Sequence, residues 1–409
     1  MGKNSKRSER KYWIYKDCFI FKPDFNENIK DYAHIIYKYK KLIFTNSDNF
    51  IQTIGYDIEN RKKKQSFDYL ISYTCSQFNK PLSDSLDQFV NLEVLKFGSS
   101  FNQPLGNSLN QLVNLKELDL GGHYSHPLGD SLNKLSRLKV LYLSCYFFQP
   151  IDNSLDNLIN LEELYLGDEF NKPLCNSFDK LTNLKILYFS NIFNYPMGDS
   201  LKNLVNLHEL KLGYMFNYPF DDSLKNLVNL EKLYIGNSFN QPLDDSFDKL
   251  TNLKELHFDF SSHYNNPLTN SLDKLMNLEK LSLSLYYNLP LENLLYRLLN
   301  LKELTIHKYF NQELELPSNI KILNLNCNCH CQNQIDSLPN TIEQLNLLRN
   351  FNLELNNLPN SIKIISFDKE SKYNNPLNNL PKSLELLELP SKYNLEIKNI
   401  PGQCKIVYL

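Results

Sequence analysis

The sequence predicts an α/β solenoid, a chain coiled into successive turns. Each turn places a strand in a curved parallel sheet on the concave side and a short helix on the convex side, behind a small N-terminal cap. Three observations predict it. The stretch from Phe101 to Gly122, FNQPLGNSLNQLVNLKELDLGG, returns with small changes at Phe170, Phe193, Phe216 and Phe239, each a multiple of 23 residues further on. Within each copy the apolar spacing changes from the two-residue period of a strand to the three- and four-residue spacing of a helix. A fixed period of roughly 20 to 50 residues marks units that bury their apolar faces only against their neighbours.

Ten units share one frame, with leading leucines at Leu92, Leu115, Leu138, Leu161, Leu184, Leu207, Leu230, Leu253, Leu278 and Leu301. Eight of the nine steps are 23 residues; the step from Leu253 to Leu278 is 25, with Ser262 and His263 in an inserted loop. Each unit reads L-x-x-L-x-L, three variable residues, F-N-x-P-L, two variable residues, then S-L-x-x-L-x-N. In the unit opening at Leu92, Leu95 and Phe97 alternate as in a strand with one buried face, and Leu105, Leu109 and Leu112 recur at helical spacing.

The remaining slots follow from physical chemistry. The tenth is Phe or Tyr, as at Phe78, Phe101, Tyr124, Phe147 and Phe170, which predicts a spine of stacked rings. The eleventh is Asn in nine of eleven occurrences, including Asn79, Asn102, Asn171, Asn194 and Asn240. An amide there can donate to the backbone of one turn and accept from the next, so a ladder is expected. Pro104, Pro173 and Pro242 have no amide to give a sheet and mark the exit from it. Ser108 and Ser177, each after Asn, predict helix caps, while Asn114 and Asn183 predict left-handed residues that close the helices.

The L-x-x-L-x-L segment, as in LKELDL, LEELYL and LKELHF, resembles the leucine-rich repeat family. The Phe-Asn-x-Pro-Leu insert after it resembles the FNIP-type repeats found in amoebae and in the giant viruses that infect them. The resemblance runs from about residue 78 to residue 409. It implies a curved solenoid of parallel strands that binds other proteins, a host protein if the chain is viral.

The chain divides into a basic N-terminal arm and cap (1–66), 23-residue repeats (67–315) and shorter Leu-Pro repeats (316–409). In the last part LPSNIKILNL, LPNTIEQLNL, LPNSIKIISF, LPKSLELLEL and IPGQCKIVYL lead with Ile320, Ile342, Ile362, Leu384 and Cys404, 20 or 22 residues apart. A shorter convex side and a change of curvature are expected there. Residues 1–66 read as lying outside the frame: WIYKDCFIFKP predicts a strand pair and NIKDYAHIIYKYKKLIF a helix, with FDYLISY (67–73) as the first strand of the array.

Apolar residues make up 42% and charged residues 22%, enough for a large core. No run of 18 apolar residues occurs and the basic start lacks an apolar segment behind it, so neither a membrane span nor an export signal is expected. The eight cysteines are scattered rather than paired in a framework, which fits a reducing compartment. The expected location is the cytoplasm, that of the host cell if the chain is viral. Met1-Gly2 begins like a myristoylation signal, but Lys6 stands where Ser or Thr is needed. Residues 1–66 carry 15 Lys or Arg against 8 Asp or Glu, net +7, and the rest 29 against 38, net −9.

Of the chemical signals, Cys327 to Cys331 (CNCHC) gathers thiols and an imidazole that could take zinc or copper, yet Cys331 falls in the ring slot and reads as a core thiol. No metal site is assigned. The run Arg61 to Lys64 reads as solvated, with nucleic acid not the expected partner. There is no phosphate loop, dinucleotide turn or HExxH, so no catalytic residue, cofactor or small-molecule substrate is expected.

The third and fifth slots of each unit point away from the core. They set a tyrosine stripe beside an acidic one, and the expected partner-binding residues are Glu117, Asp119, Tyr142, Glu163, Tyr165, Tyr188, Glu209, Lys211, Tyr234, Glu255 and His257. The function expected is a non-catalytic scaffold that binds a protein with a basic surface along this concave sheet. The alternative is a substrate receptor of a ubiquitin ligase, with residues 12–60 engaging the ligase core. The final strand, KIVYL, is expected to pair with a second copy.

Overall fold

The computed structural model of the chain describes residues 10–45, 76–268, 270–326 and 335–409. They fall into two compact units, one ending at Phe193 and one beginning at Asn194. Cys327 to Cys331, the run Arg61 to Lys64 and the stretch 67–73 lie outside the described residues.

In unit 1, β1 (Tyr12–Tyr15) and β2 (Cys18–Phe21) form an antiparallel hairpin that turns at Lys16, whose φ is +52°. β3 (Lys41–Phe44), β4 (Val94–Lys96), β5 (Glu117–Asp119), β6 (Val140–Tyr142), β7 (Glu163–Tyr165) and β8 (Ile186–Tyr188) then add to β2 one by one, all parallel. In unit 2 the same parallel stacking runs through β9 (Glu209–Lys211), β10 (Lys232–Ile235), β11 (Glu255–Phe258), β12 (Lys280–Ser282), β13 (Glu303–Ile306) and β14 (Ile322–Leu325). It continues through β15 (Gln344–Leu347), β16 (Ile364–Phe367), β17 (Leu386–Leu389) and β18 (Lys405–Tyr408). Successive leucines of the fourth slot lie side by side, as Leu118 beside Leu141, so the register is the 23-residue period itself.

The frame starts earlier than the sequence reading placed it. Phe19 pairs with Leu42 and Leu42 with Leu95, which puts residues 16–38 into a complete unit. Phe25 and Asn26 are its ring and amide, and Ile29, Ala33 and Ile36 take the places of Leu105, Leu109 and Leu112, all at most 8% exposed. Phe25 packs 5.7 Å from Phe78, and the amide of Asn79 donates to Asn26 Oδ1 at 3.2 Å. The next unit opens at Tyr39, 53 residues before Leu92, because residues 46–75 are inserted into it. Of the helix expected over NIKDYAHIIYKYKKLIF only two short turns form, Ile29–Tyr32 and Ala33–Ile36; the last four residues are β3. Of residues 12–60, with which a ligase receptor would engage the ligase core, 12–44 are strands of this sheet and their connections, and 46–60 lie outside the described residues.

The short convex helices are also corrected. After Pro104, the amides of Ser108, Asn110, Leu112 and Leu115 bond to carbonyls three residues back at 2.9–3.0 Å, which closes separate turns rather than a helix. A left-handed residue, such as Gly106 at φ +49° or Asp152 at φ +30°, follows Pro-Leu or Pro-Ile and breaks any helical start. The segment is also too short to repay the cost of nucleating a helix. Successive turns bury Leu105, Leu109 and Leu112 equally well. Besides Ala33–Ile36, an α-helical turn at Leu294–Arg297 stands where Leu294 replaces the serine of the frame.

Two slots therefore do other work than capping. Ser108 and Ser177 are buried, and the Ser177 hydroxyl has no hydrogen-bond partner, so the serine serves as a small filler. Asn114 and Asn183 are not left-handed. Their Nδ2 groups donate to the carbonyls of Val90 and Ile159, one unit back, both at 2.8 Å. In the Leu-Pro repeats the convex side shrinks to one turn, with Ile320, Ile342 and Ile362 each bonding to a proline carbonyl three residues back at 3.3 Å. The last strand slips by one against expectation: Ile406 pairs with Leu387, so Cys404 takes the second slot.

The ring spine forms in both units. In unit 1, Phe78, Phe101, Tyr124, Phe147, Phe170 and Phe193 stack at 5.9–6.4 Å with planes within 11°. In unit 2, Phe216, Phe239, Tyr264, Tyr287 and Phe310 do so at 6.0–6.4 Å, within 12°. The asparagine ladder runs beside it through its side-chain oxygens. Asn194, Asn217, Asn240, Asn265 and Asn288 each accept, through Oδ1, the backbone amide of the same slot one turn later, at 2.7–3.0 Å. Where the frame has Gln, its side chain joins in, as Gln241 Nε2 does to Asn217 Oδ1 at 3.1 Å.

The seventh slot, just after each strand, is crowded. A Cβ on Gly167, whose φ is +76°, would meet the Ser144 carbonyl oxygen at 2.0 Å. His307 occupies this slot after β13, buried, with both ring nitrogens lacking a partner. Burial, only partly offset by Asp259, holds its pKa down to about 4. The unfolded chain takes up this proton near pH 6.5 and the folded chain does not, so stability is lost as pH falls from about 6.5 to about 4, by about 3 kcal/mol at most. We expect the unfolding free energy of the native chain to fall more than that of His307→Ser between these limits. Equal pH slopes in urea titrations of the two would refute it.

Candidate functional site

The slots that alternation turns away from the core are half-buried in the sheet, as the pattern around Leu118, Leu141 and Leu187 shows. Neighbouring strands bring them within reach of one another, so each residue is placed by its counterpart one unit away.

In unit 1 the face centres on three rings. Tyr142 stacks on Tyr165 at 4.4 Å and 13°, and Tyr188 meets Tyr165 edge-on at 5.0 Å and 77°. Tyr165 is consequently only 3% exposed, and its hydroxyl donates to Glu163 Oε2 at 2.8 Å. It supports the other two rings rather than meeting solvent. Glu117 is held by Lys96 at 2.9 Å, and Asp119 Oδ1 accepts the amide of Gly121 at 2.8 Å, closing the turn after β5. Val140 lies between Glu117 and Glu163 in the third-slot column.

In unit 2, Tyr234 stacks on His257 at 4.9 Å and 8°. His257 Nε2 lies 3.3 Å from Glu255 Oε2, while Glu255 Oε1 lies 3.9 Å from Lys232 Nζ and 3.7 Å from Lys280 Nζ. These neighbours, His257 foremost through its hydrogen bond, hold the Glu255 carboxyl down to about 2. Burial, with Glu209 and Glu255 adding to it, pushes the Tyr234 hydroxyl up. Glu209, Lys232, Glu255, Lys280 and Glu303 alternate in sign down the column, so this part of the expected acidic stripe is balanced. Lys211 stands beside Tyr234 on the next strand. Further along, Asn324 Nδ2 bonds Glu303 Oε1 at 2.9 Å and Thr305 Oγ1 at 2.8 Å, and the face becomes polar.

Sequence reasoning missed the second slot, where the strands begin. Glu93 bonds both Lys40 (2.7 Å) and Lys116 (2.8 Å), and Glu162 bonds both Lys139 (2.6 Å) and Lys185 (2.8 Å). In unit 2, Glu343 similarly bridges Lys321 (3.4 Å) and Lys363 (3.2 Å). The signal was present as charges of opposite sign in the same slot of neighbouring units, 20 to 23 residues apart except for Lys40 and Glu93, which the insertion separates by 53. Such exposed pairs are each worth little, and their regular spacing ties adjacent turns into register.

Among the described residues no His, Cys, Asp and Glu side chains gather into a set able to hold a metal ion, and no helix is long and apolar enough to cross a membrane. Residues 310–350 match the FNIP Repeat family. The chain is similar to CroV588, a circular leucine-rich-repeat protein of a giant virus, with a TM-score of 0.68 and 22% identity over 98% of this chain and 60% of that one. It is also similar to a leucine-rich-repeat protein of Leptospira interrogans, with a TM-score of 0.52 and 19% identity over 80% of this chain and 94% of that one. The chain thus spans about 60% of the length of CroV588. The fold is a leucine-rich-repeat solenoid of parallel strands carrying FNIP-type repeats. No curated protein sequence matches the chain.

Proposed function

We propose that this leucine-rich-repeat chain is a non-catalytic scaffold that binds another protein across the open face of its sheet, in the cytoplasm. The observation that carries the reading is an aromatic patch on the sheet face of each unit taken by itself, Tyr142 and Tyr188 over Tyr165 in unit 1, and Tyr234 with His257 in unit 2. The repeated leucines and rings are taken up in the core, and the ladder asparagines are engaged in hydrogen bonds between turns. Tyrosine brings large contact area, few rotatable bonds and a polar tip, which suits it to binding hot spots. The charges beside these rings are paired with one another, so the partner's own charges meet a balanced field and the rings supply the affinity.

A photo-reactive residue at Tyr188 or Tyr234 should cross-link one protein from the native cell, and Tyr142→Ser/Tyr188→Ser/Tyr234→Ser should weaken binding of that purified protein roughly tenfold or more. The control Lys134→Ser/Lys180→Ser, on the turn side, should bind as the native chain does. Equal affinity of the triple variant and the native chain would discard this face.

A further inference from the structure

We propose that a notch above Ser238, at the edge of unit 2 where the strands end, takes an uncharged aromatic side chain presented by another protein. Strands β9 to β13 are parallel, so the turns that follow them share this edge. One column on it reads Met215, Ser238, His263, Tyr286 and Tyr309. The amides of the last four donate to the carbonyls of Tyr214, Asn237, Ser262 and Leu285, one turn back, at 2.8–3.4 Å. His263, Tyr286 and Tyr309 stack at 4.7–4.8 Å with planes within 15°. The stack ends at Ser238, whose side chain is too small to carry it on, and Met215 stands beyond. Successive turns lie about 4.8 Å apart, which puts Met215 and His263 about 9.6 Å apart with room for one ring between them.

Hydrogen bonds hold the surroundings of this notch in place. The Tyr214 hydroxyl bonds Ser261 Oγ at 2.9 Å, two turns on, so its ring lies across the turn of Asn237. Asn237 is buried, and its Nδ2 donates to the Ser261 carbonyl at 2.8 Å and to Ser261 Oγ at 2.6 Å. Asp259 Oδ1 in turn accepts the Ser261 amide at 2.9 Å and its hydroxyl at 2.7 Å. The turn of Asn237 and Ser238 is thereby kept low between two higher ones. Met215, 49% exposed, brings a thioether, which packs well against rings, and His263 brings the ring face that Tyr286 does not cover. Phe260, on the same turn as His263 and 67% exposed, adds apolar surface for the residues that flank an inserted ring.

Charge decides what kind of ring fits. Residues 213–218, 236–241 and 284–289 carry no charged side chain, and 259–266 carry only Asp259. After β13, Lys308 Nζ lies 5.0 Å from the Tyr309 ring, and Glu313 and Glu315 follow further round that turn. The turns that bound the notch therefore hold one carboxylate and no Lys or Arg. A nucleotide would bring its phosphate to Asp259 with no cation to meet it. An aromatic residue in an uncharged stretch of polypeptide brings a ring and no charge.

The test uses the full chain with carbon-13 methionine methyl groups, of which there are four, at Met1, Met197, Met215 and Met276. The probe is the capped peptide Gly-Leu-Trp-Leu-Gly, followed by methyl NMR. We expect the Met215 methyl resonance to move upfield as the indole enters beside it, with Met197 and Met276 unmoved and no shift from the same peptide with alanine for tryptophan. Ser238→Tyr places a ring in the gap, as Tyr286 and Tyr309 do in their own turns. It should show the Met215 methyl already upfield without peptide and should bind the peptide roughly tenfold or more weakly. Ser100→Tyr, the same position in unit 1, should bind as the native chain does. So should Tyr142→Ser/Tyr188→Ser/Tyr234→Ser, which separates this notch from the sheet face. Three outcomes overturn the proposal: a Met215 methyl that the peptide does not move in the native chain, an equal movement in Ser238→Tyr, or a larger movement with adenosine monophosphate than with the peptide.

Discussion

Replacing Phe147 by alanine should lower the free energy of unfolding by about 3–5 kcal/mol. The ring is fully buried, 6.3 Å from Tyr124 and 6.4 Å from Phe170 in near-parallel planes, so its removal opens a cavity that its neighbours cannot close without leaving their own places in the stack. Phe148 is the control, because it is the adjacent residue and the same side chain but is 52% exposed in the slot that elsewhere holds asparagine. Phe148→Ala should change stability by no more than about 0.5 kcal/mol. Urea titrations of both variants measure this, and similar losses would mean that the ring slot has no special place in the core.

The second large effect concerns the asparagine ladder. Asn217 Oδ1 accepts the amide of Asn240 at 2.9 Å and the side chain of Gln241 at 3.1 Å. Asn217→Ala removes this one acceptor and so both hydrogen bonds at once, while its own amide keeps Asn194 Oδ1 at 3.0 Å. Water reaches this part of the turn, so the expected loss is about 1–2 kcal/mol rather than the full penalty of a buried orphan. Asn217→Asp keeps an acceptor oxygen and should retain most of the stability near neutral pH. If the aspartate variant were as unstable as the alanine one, the oxygen would not be what the slot provides.

The repeating core could be read from the sequence because a strict 23-residue period superimposes like residues; Leu95, Phe101 and Leu112 each recur often enough to reveal their role. Phe25 could not be read in the same way. It lies 76 residues before Phe101, which is not a multiple of 23, because the insertion in the next unit breaks the count. The local signal was nonetheless complete, with Phe25-Asn26 followed by Ile29, Ala33 and Ile36 in their slots. The convex helices were misread for a different reason: leucines spaced by four and three residues serve a run of separate turns as well as a helix, and only the left-handed residue after Pro-Leu distinguishes them.

For the candidate face, alternation was enough to say which residues point outward. It did not reveal that Tyr165 is covered by Tyr142 and Tyr188, nor that Lys232 and Lys280 flank Glu255. Both facts arise between strands, from residues more than twenty positions apart, and a reading along the chain does not weigh such pairs.

Amide hydrogen exchange at the asparagine slot tests most directly whether the repeated residues join successive turns into one coil within each unit. The backbone amides of Asn217, Asn240, Asn265 and Asn288 should exchange far more slowly than those of exposed turn residues, and Asn217→Ala should release Asn240 first. Exchange of these amides at the rate of an unstructured peptide would contradict the account.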